Sequence, residues 1–281
     1  MKTMKFRLNW LKKKERPIPE DVICRNCGVQ MQGRYCHECG QDIFAGTGIP
    51  ILKLIGQVLD NAFALEGKTP RTLVNLIFRP GFLSREFMNG KVVRYVNPVK
   101  LFWMSTLIFF ALLISQINST NWQTKDFNIK SHVLNTETKV MLFNYFTKFA
   151  PYVAFLLIPF FALLLALFFW RRKFYYVHHL IFTVHFHAFL WIFCSLLLII
   201  NMFVTLDFPD WLNLTLFFTP GIYLIFAFHR FYHPQTYHFK SWWQTIWKSV
   251  FVSISYFFIF CIITIIIAVI VLKLYFPELT T

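Results

Sequence analysis

The stretch TPRTLVNLIFRPGFLSREFMNGKVVRYVNPVK, residues 69–100, decides how the rest of the chain is organised. What precedes it reads as a water-facing head, and nearly all that follows reads as membrane. Six cations lie within it, Arg71, Arg79, Arg85, Lys91, Arg94 and Lys100, against one acid, Glu86. Apolar residues fill the gaps, first at helical and then at alternating spacing. Thr69-Pro70 predicts a helix start, with Thr69 as the cap and proline in the first helical position. Arg79-Pro80-Gly81 predicts its end, because a proline disfavours helical geometry in the residue before it. Gly90 marks the end of a second short helix, and Asn97-Pro98 opens the first long apolar one. The stretch is expected to lie as a basic collar on the membrane surface, its cations facing anionic lipid headgroups at ~1 kcal/mol each.

Downstream the chain is too apolar for a soluble domain: 57% of 281 residues are hydrophobic and 36 are Phe. A span needs about 20 apolar residues at 1.5 Å per residue. Five segments qualify, at about 98–117, 149–170, 180–204, 211–228 and 250–272. Pro159 and Pro220 are expected to kink their helices, with neighbouring helices satisfying the freed carbonyls. The predicted fold class is an all-α integral membrane protein of about five transmembrane helices. It carries a small N-terminal four-cysteine zinc ribbon and interfacial amphipathic helices. The domains divide as a basic tail (1–20), the ribbon (21–45), the interfacial helices and collar (46–97), and the five-span region (98–281). The first twenty residues have the charge of a signal peptide but no apolar run, so cleavage is not expected.

CRNCG at 24–28 and CHECG at 36–40 are the strongest local signal. Two such knuckles present four thiolates, Cys24, Cys27, Cys36 and Cys39, in tetrahedral array, and each following glycine permits a turn that a side chain would hinder. So few residues bury no core, so a metal must supply the folding energy. Clustered thiols of this spacing point to zinc in a reducing compartment rather than to disulfides. A closed four-sulfur set makes the zinc structural, since catalysis needs an open position. Nucleic-acid binding is disfavoured, because Arg25 and Arg34 are offset by Glu38 and Asp42. Between ribbon and collar, residues 51–65 repeat apolar side chains at i, i+3, i+4 and i+7, predicting an amphipathic helix.

Charge sets the orientation. Of 28 Lys and Arg, 23 fall in segments 1–100, 171–173 and 229–248, with eight Asp and Glu; the other segments hold five of each. Cytosolic loops carry the Lys/Arg excess. The N-terminus is therefore expected in the cytosol and the C-terminus outside it.

The pattern CxxCG…YCxxCGQ, then TLxxLxxRPG, then GKxxxYxNP, then apolar helices, resembles the bacterial domain-of-unknown-function family numbered 3667. The residues that carry the resemblance are Cys24, Cys27, Cys36, Cys39, Gly40 and Gln41, then Thr72, Leu73, Leu76, Arg79, Pro80 and Gly81. Gly90, Lys91, Tyr95, Asn97 and Pro98 continue it, as do His178-His179 and HFHAF at 185–189. The resemblance implies a bacterial inner-membrane protein and supplies no activity.

No Asp or Glu occurs between Thr138 and Leu206 or between Leu212 and Pro277, so carboxylate proton relays and carboxylate-lined ion sites are disfavoured there. No nucleophile elbow and no phosphate-cradling glycine loop is present. The histidines remain. His178, His185, His229 and His233 fall near the inner ends of their spans and form a candidate second metal site. The competing reading makes them interfacial side chains in the company of Tyr and Trp. Three functions are expected, in order. The first is a non-enzymatic adaptor or regulatory component whose ribbon recruits a cytosolic protein. The second is a transporter or channel component, and the third a lipid-modifying metalloenzyme using the histidine layer.

Overall fold

A computed structural model describes residues 22–44, 67–119, 136–172, 174–203, 210–232 and 239–275. The basic tail, the amphipathic helix expected at 51–65 and His233 lie outside the described residues.

The head is built from two turns and little else. Strands β1 (Val22–Ile23) and β2 (Gln30–Met31) pair antiparallel, Val22 opposite Met31. Each CxxCG closes in the same way, with the Gly28 amide donating to the Cys24 carbonyl at 2.9 Å and the Gly40 amide to Cys36 at 2.8 Å. Gly28 and Gly40 sit at φ 82 and 70, the left-handed region where a Cβ is unfavourable. Cys24, Met31 and Cys36 are its buried apolar residues, with Val22, Cys39 and Ile43 packed against them. That is too small a core to hold a fold.

Helix α1 (Thr69–Phe78) and helix α2 (Phe82–Met88) form the collar. The start of α1 lies one residue from the expected place: Lys68 is the cap, and its side chain makes no capping bond. Thr72 serves the local backbone instead, donating to the Lys68 carbonyl and accepting from the Val96 amide at 3.1 Å. The helix stops as expected, with Arg79 extended ahead of Pro80 (φ −129, ψ 73) and Gly81 left-handed at φ 71. Gly90, at φ 86, turns the chain out of α2, and the Asn97 side chain accepts from the Val99 amide where α3 begins.

The long helices are α3 (Pro98–Ser119), α4 (Thr136–Phe168), α5 (Tyr176–Phe203), α6 (Asp210–Tyr232) and α7 (Phe239–Tyr275). All five are long and apolar enough to cross a membrane, with mean hydropathy between 1.4 and 2.8 over their candidate spans. Their ends overrun the sequence segments. The loop expected between the fourth and fifth is largely helical, since α6 continues to Tyr232 and α7 already runs at Phe239. Hydropathy falls where Lys240, Gln244 and Lys248 enter, but those side chains leave the backbone hydrogen bonds of a helix intact. Pro151, Pro159 and Pro220 all stand inside helices.

α5 is the centre, packed by α3 and α4, while α7 lies against α4 and α6. Aromatic rings carry much of the core: Phe189 stacks on Tyr223 at 3.5 Å and Phe169 on Tyr232 at 3.7 Å. In apolar surroundings such flat, large faces supply dispersion contact that Leu cannot match per side chain.

Candidate metal centre and the joint that carries it

The four ribbon sulfurs, Cys24, Cys27, Cys36 and Cys39, lie within 4.8 Å of one another, and all four are free cysteines. The closest pairs are Cys24–Cys39 at 3.6 Å and Cys27–Cys36 at 3.5 Å. A tetrahedron of sulfurs about 2.3 Å from a central ion has edges of about 3.8 Å. The observed separations fit that figure, so the quartet is shaped to hold a metal ion. Its electrostatics agree. The Cys39 amide outweighs burial and, with the Glu38 amide, pulls the Cys36 thiol down to about 6. The Val29 amide favours ionised Cys27, but burial and the neighbouring sulfurs overcome it and push Cys27 up to about 12. These opposed shifts belong to the set: the first thiolate forms easily and the last resists, unless a cation sits among them.

Directly after the second knuckle, Gln41 ties the ribbon to the collar. It is 3% exposed. Its amide nitrogen donates to the Gly90 carbonyl at 2.6 Å, and its oxygen accepts from the Val92 amide at 3.2 Å. The Gln41 backbone carbonyl meanwhile accepts from the Cys36 amide at 2.9 Å, so the clamp grows out of the metal knuckle itself. Replacing Gln41 with Leu leaves a buried carbonyl and amide unpaired at about 1–3 kcal/mol each. Hydrogen exchange at Val92 is expected to accelerate strongly in that variant while the transmembrane amides stay protected; unchanged exchange at Val92 would count against the clamp.

The collar is in turn fixed to the bundle. The Tyr223 hydroxyl donates to the Leu76 carbonyl at 2.6 Å, and Arg230 donates to the Pro80 carbonyl at 2.9 Å. Between those bonds Gly81 meets α6 so closely that a Cβ there would lie 2.5 Å from the Ala227 carbonyl oxygen. Ser84 on α2 reaches His185 on α5 at 3.2 Å. The sequence marks Gly81 as part of a helix stop, but its use as a docking face needs the third dimension.

Of the collar cations, Arg71, Arg79 and Arg94 are exposed and Arg85 is half-buried. The Arg79 guanidinium lies 5.4 Å from the Phe82 ring centre. One residue corrects the expected lipid-facing set: Lys100 is 3% exposed, whereas Lys91 stays partly exposed while bound to Glu86 at 2.8 Å. Lys100 stands in the first turn of α3 beside buried Leu101 and Phe102, so that turn faces protein.

The described histidines have separate partners. His178 accepts from the Tyr175 amide at 3.2 Å, and His229 stacks on Trp242 at 3.8 Å. His185 Nδ1 is 2.9 Å from the Ile181 carbonyl, so that nitrogen carries the proton. His179 pairs with the Tyr232 hydroxyl at 2.6 Å and His187 with that of Tyr256 at 2.7 Å. Among the described residues, the cysteine quartet is the group of three or more His, Cys, Asp or Glu close enough to share an ion.

Residues 66–110, the collar and the first half of α3, match the family model described as a protein of unknown function, DUF3667. The match is confined to these residues, less than half of the chain. No curated protein and no solved structure matches the chain. The matched residues include both faces of the joint described above: Gly90, Val92 and Val93, which receive Gln41, and Leu76, Pro80 and Gly81, which receive α6.

Proposed function

We propose that this chain is a five-span protein of the bacterial cytoplasmic membrane, serving as a non-enzymatic adaptor or regulatory component. A zinc-holding ribbon on the cytosolic side recruits a protein partner, and the collar fixes its place. The observation that carries this reading is the pair of joints on the collar: Cys36 to Gln41 and Gln41 to Gly90 and Val92 on the ribbon side, Leu76 and Pro80 to Tyr223 and Arg230 on the bundle side. A closed four-sulfur set offers no substrate position, so its use is to hold a shape. The orientation rests on charge. Arg230 touches the collar and Lys248 touches Phe169, so the cation-rich segments gather at one end of the bundle, and Lys/Arg-rich ends face the cytosol.

Two measurements test it. A reporter active only outside the cytosol is expected to work when fused after Thr281 and to fail after Arg172; the reverse result removes the five-span orientation. Crosslinking of the full chain in membranes is expected to retain a cytosolic protein, and Cys24→Ser with Cys36→Ser to lose it while the bundle unfolds at its usual temperature. Retention by both forms would place recruitment elsewhere.

A further inference from the structure

Helix α1 has two unlike faces. Thr72 and Leu76 are buried on one of them. At about 3.6 residues per turn, Arg71, Val74 and Phe78 fall together on the opposite face, and all three are exposed. Phe78 is 75% exposed and Val74 56%. Arg79, also exposed, follows at the helix end with its guanidinium 5.4 Å from the Phe82 ring centre. Two cations about 12 Å apart along the helix thus bracket an apolar pair.

What meets this face follows from the height at which α1 is held. The Leu76 carbonyl accepts from Tyr223, which lies well inside the candidate span Leu212–Tyr232. Pro80 receives Arg230 nearer the end of that span, and Gly81 rests on Ala227 between them. Ile222 and Phe226, in the turns of α6 that hold Tyr223 and Ala227, are themselves exposed. At the same level Trp242 meets Phe226 at 5.7 Å and stacks on His229 at 3.8 Å. Tryptophans gather at the membrane–water boundary, so this stretch of α6 marks headgroup depth. A helix fixed there by one face offers the other to the boundary itself. Apolar side chains enter the acyl region, and arginines keep their heads among the phosphates.

We propose that the outer face of α1 docks in the cytosolic-side membrane boundary, with Val74 and Phe78 among acyl chains and Arg71 and Arg79 on the headgroups of anionic phospholipid. Guanidinium forks match phosphate oxygens in pairs. A choline headgroup cancels the charge of its phosphate, whereas a net-anionic one keeps it, so the cations select the second. The proposal rests on the five-span reading above and uses neither the zinc ribbon nor the adaptor role.

The full chain in lipid nanodiscs tests this, with equal parts phosphatidylglycerol and phosphatidylcholine and the photoreactive analogue p-benzoylphenylalanine in place of Phe78. Mass spectrometry is expected to find the analogue joined to lipid, with phosphatidylglycerol adducts in clear excess. Arg71→Gln and Arg79→Gln are each expected to lower the odds of phosphatidylglycerol over phosphatidylcholine about five-fold. Arg71→Lys with Arg79→Lys is expected to keep most of that preference. The same analogue in place of Ile262, exposed within the span of α7, is expected to join both lipids in bilayer proportion. Lipid adducts from the Ile262 position with none from the Phe78 position would leave the spans standing and overturn the proposal. So would adducts from the Phe78 position to a second copy of the chain, equal odds of the two lipids in wild type, or odds unmoved by either glutamine. Absence of lipid adducts at both positions would remove the five-span reading, and the proposal with it.

Discussion

Purified full-length protein is expected to carry about one zinc per chain, as a single four-cysteine site does, and Cys24→Ser with Cys36→Ser to carry none. Among the described residues the ribbon's buried apolar cluster is Cys24, Met31 and Cys36, two of which belong to the sulfur quartet. Little is left to hold the two knuckles once the ion is gone. In small zinc peptides the metal contributes about 10–16 kcal/mol near neutral pH, far more than such a core provides. Elemental analysis checks the count, and limited proteolysis within residues 22–44 checks the fold. The bundle, with its own core, is expected to survive. Binding must displace protons from the thiols, so affinity falls as pH falls and rises as pH rises. Zinc that persists in the double variant at neutral pH would falsify the assignment.

Gly81→Ala is expected to cost about 2–5 kcal/mol, from left-handed strain together with overpacking. Two independent penalties meet at this residue. Its φ of 71 lies where a Cβ is disfavoured, and that Cβ would fall 2.5 Å from the Ala227 carbonyl oxygen. A side chain in the way could rotate; backbone of α6 cannot, so the collar must lift. Lifting it also stretches the bond from Arg230 to Pro80 and that from Tyr223 to Leu76. Thermal unfolding in detergent should drop by many degrees, and hydrogen exchange should rise in α1 and α2 first. An unchanged melting temperature would mean that α6 is not seated on the collar.

What the chain reveals by itself depends on the range of the contact. The cysteine quartet is legible because its ligands lie within sixteen residues and two CxxCG turns have one obvious use. Five apolar segments are legible because spanning a bilayer is a requirement of length and composition. The stop at Arg79-Pro80 is legible because proline acts on its immediate neighbour. Lys100 reads as a surface cation because charge on a sequence carries no direction; in the fold its turn, beside buried Leu101 and Phe102, faces inward. The start of α7 was hidden by Lys240, Gln244 and Lys248, polar residues that a helix tolerates. Gln41 stood in the CGQ motif, but a glutamine side chain does not announce which backbone it will bind.

The bond from Arg230 to Pro80 joins residues 150 apart, and that from Tyr223 to Leu76 joins residues 147 apart. At ~5–20 residues per second, the ribosome needs roughly 8–30 s to make what lies between them. For that interval the nascent collar has no α6 on which to rest, and α3 is made long before the collar can dock. Leu76 and Leu83, nearly sealed in the finished protein, must wait in another setting. Assembly of the collar is thus a late event for an early sequence, completed only when α6 arrives.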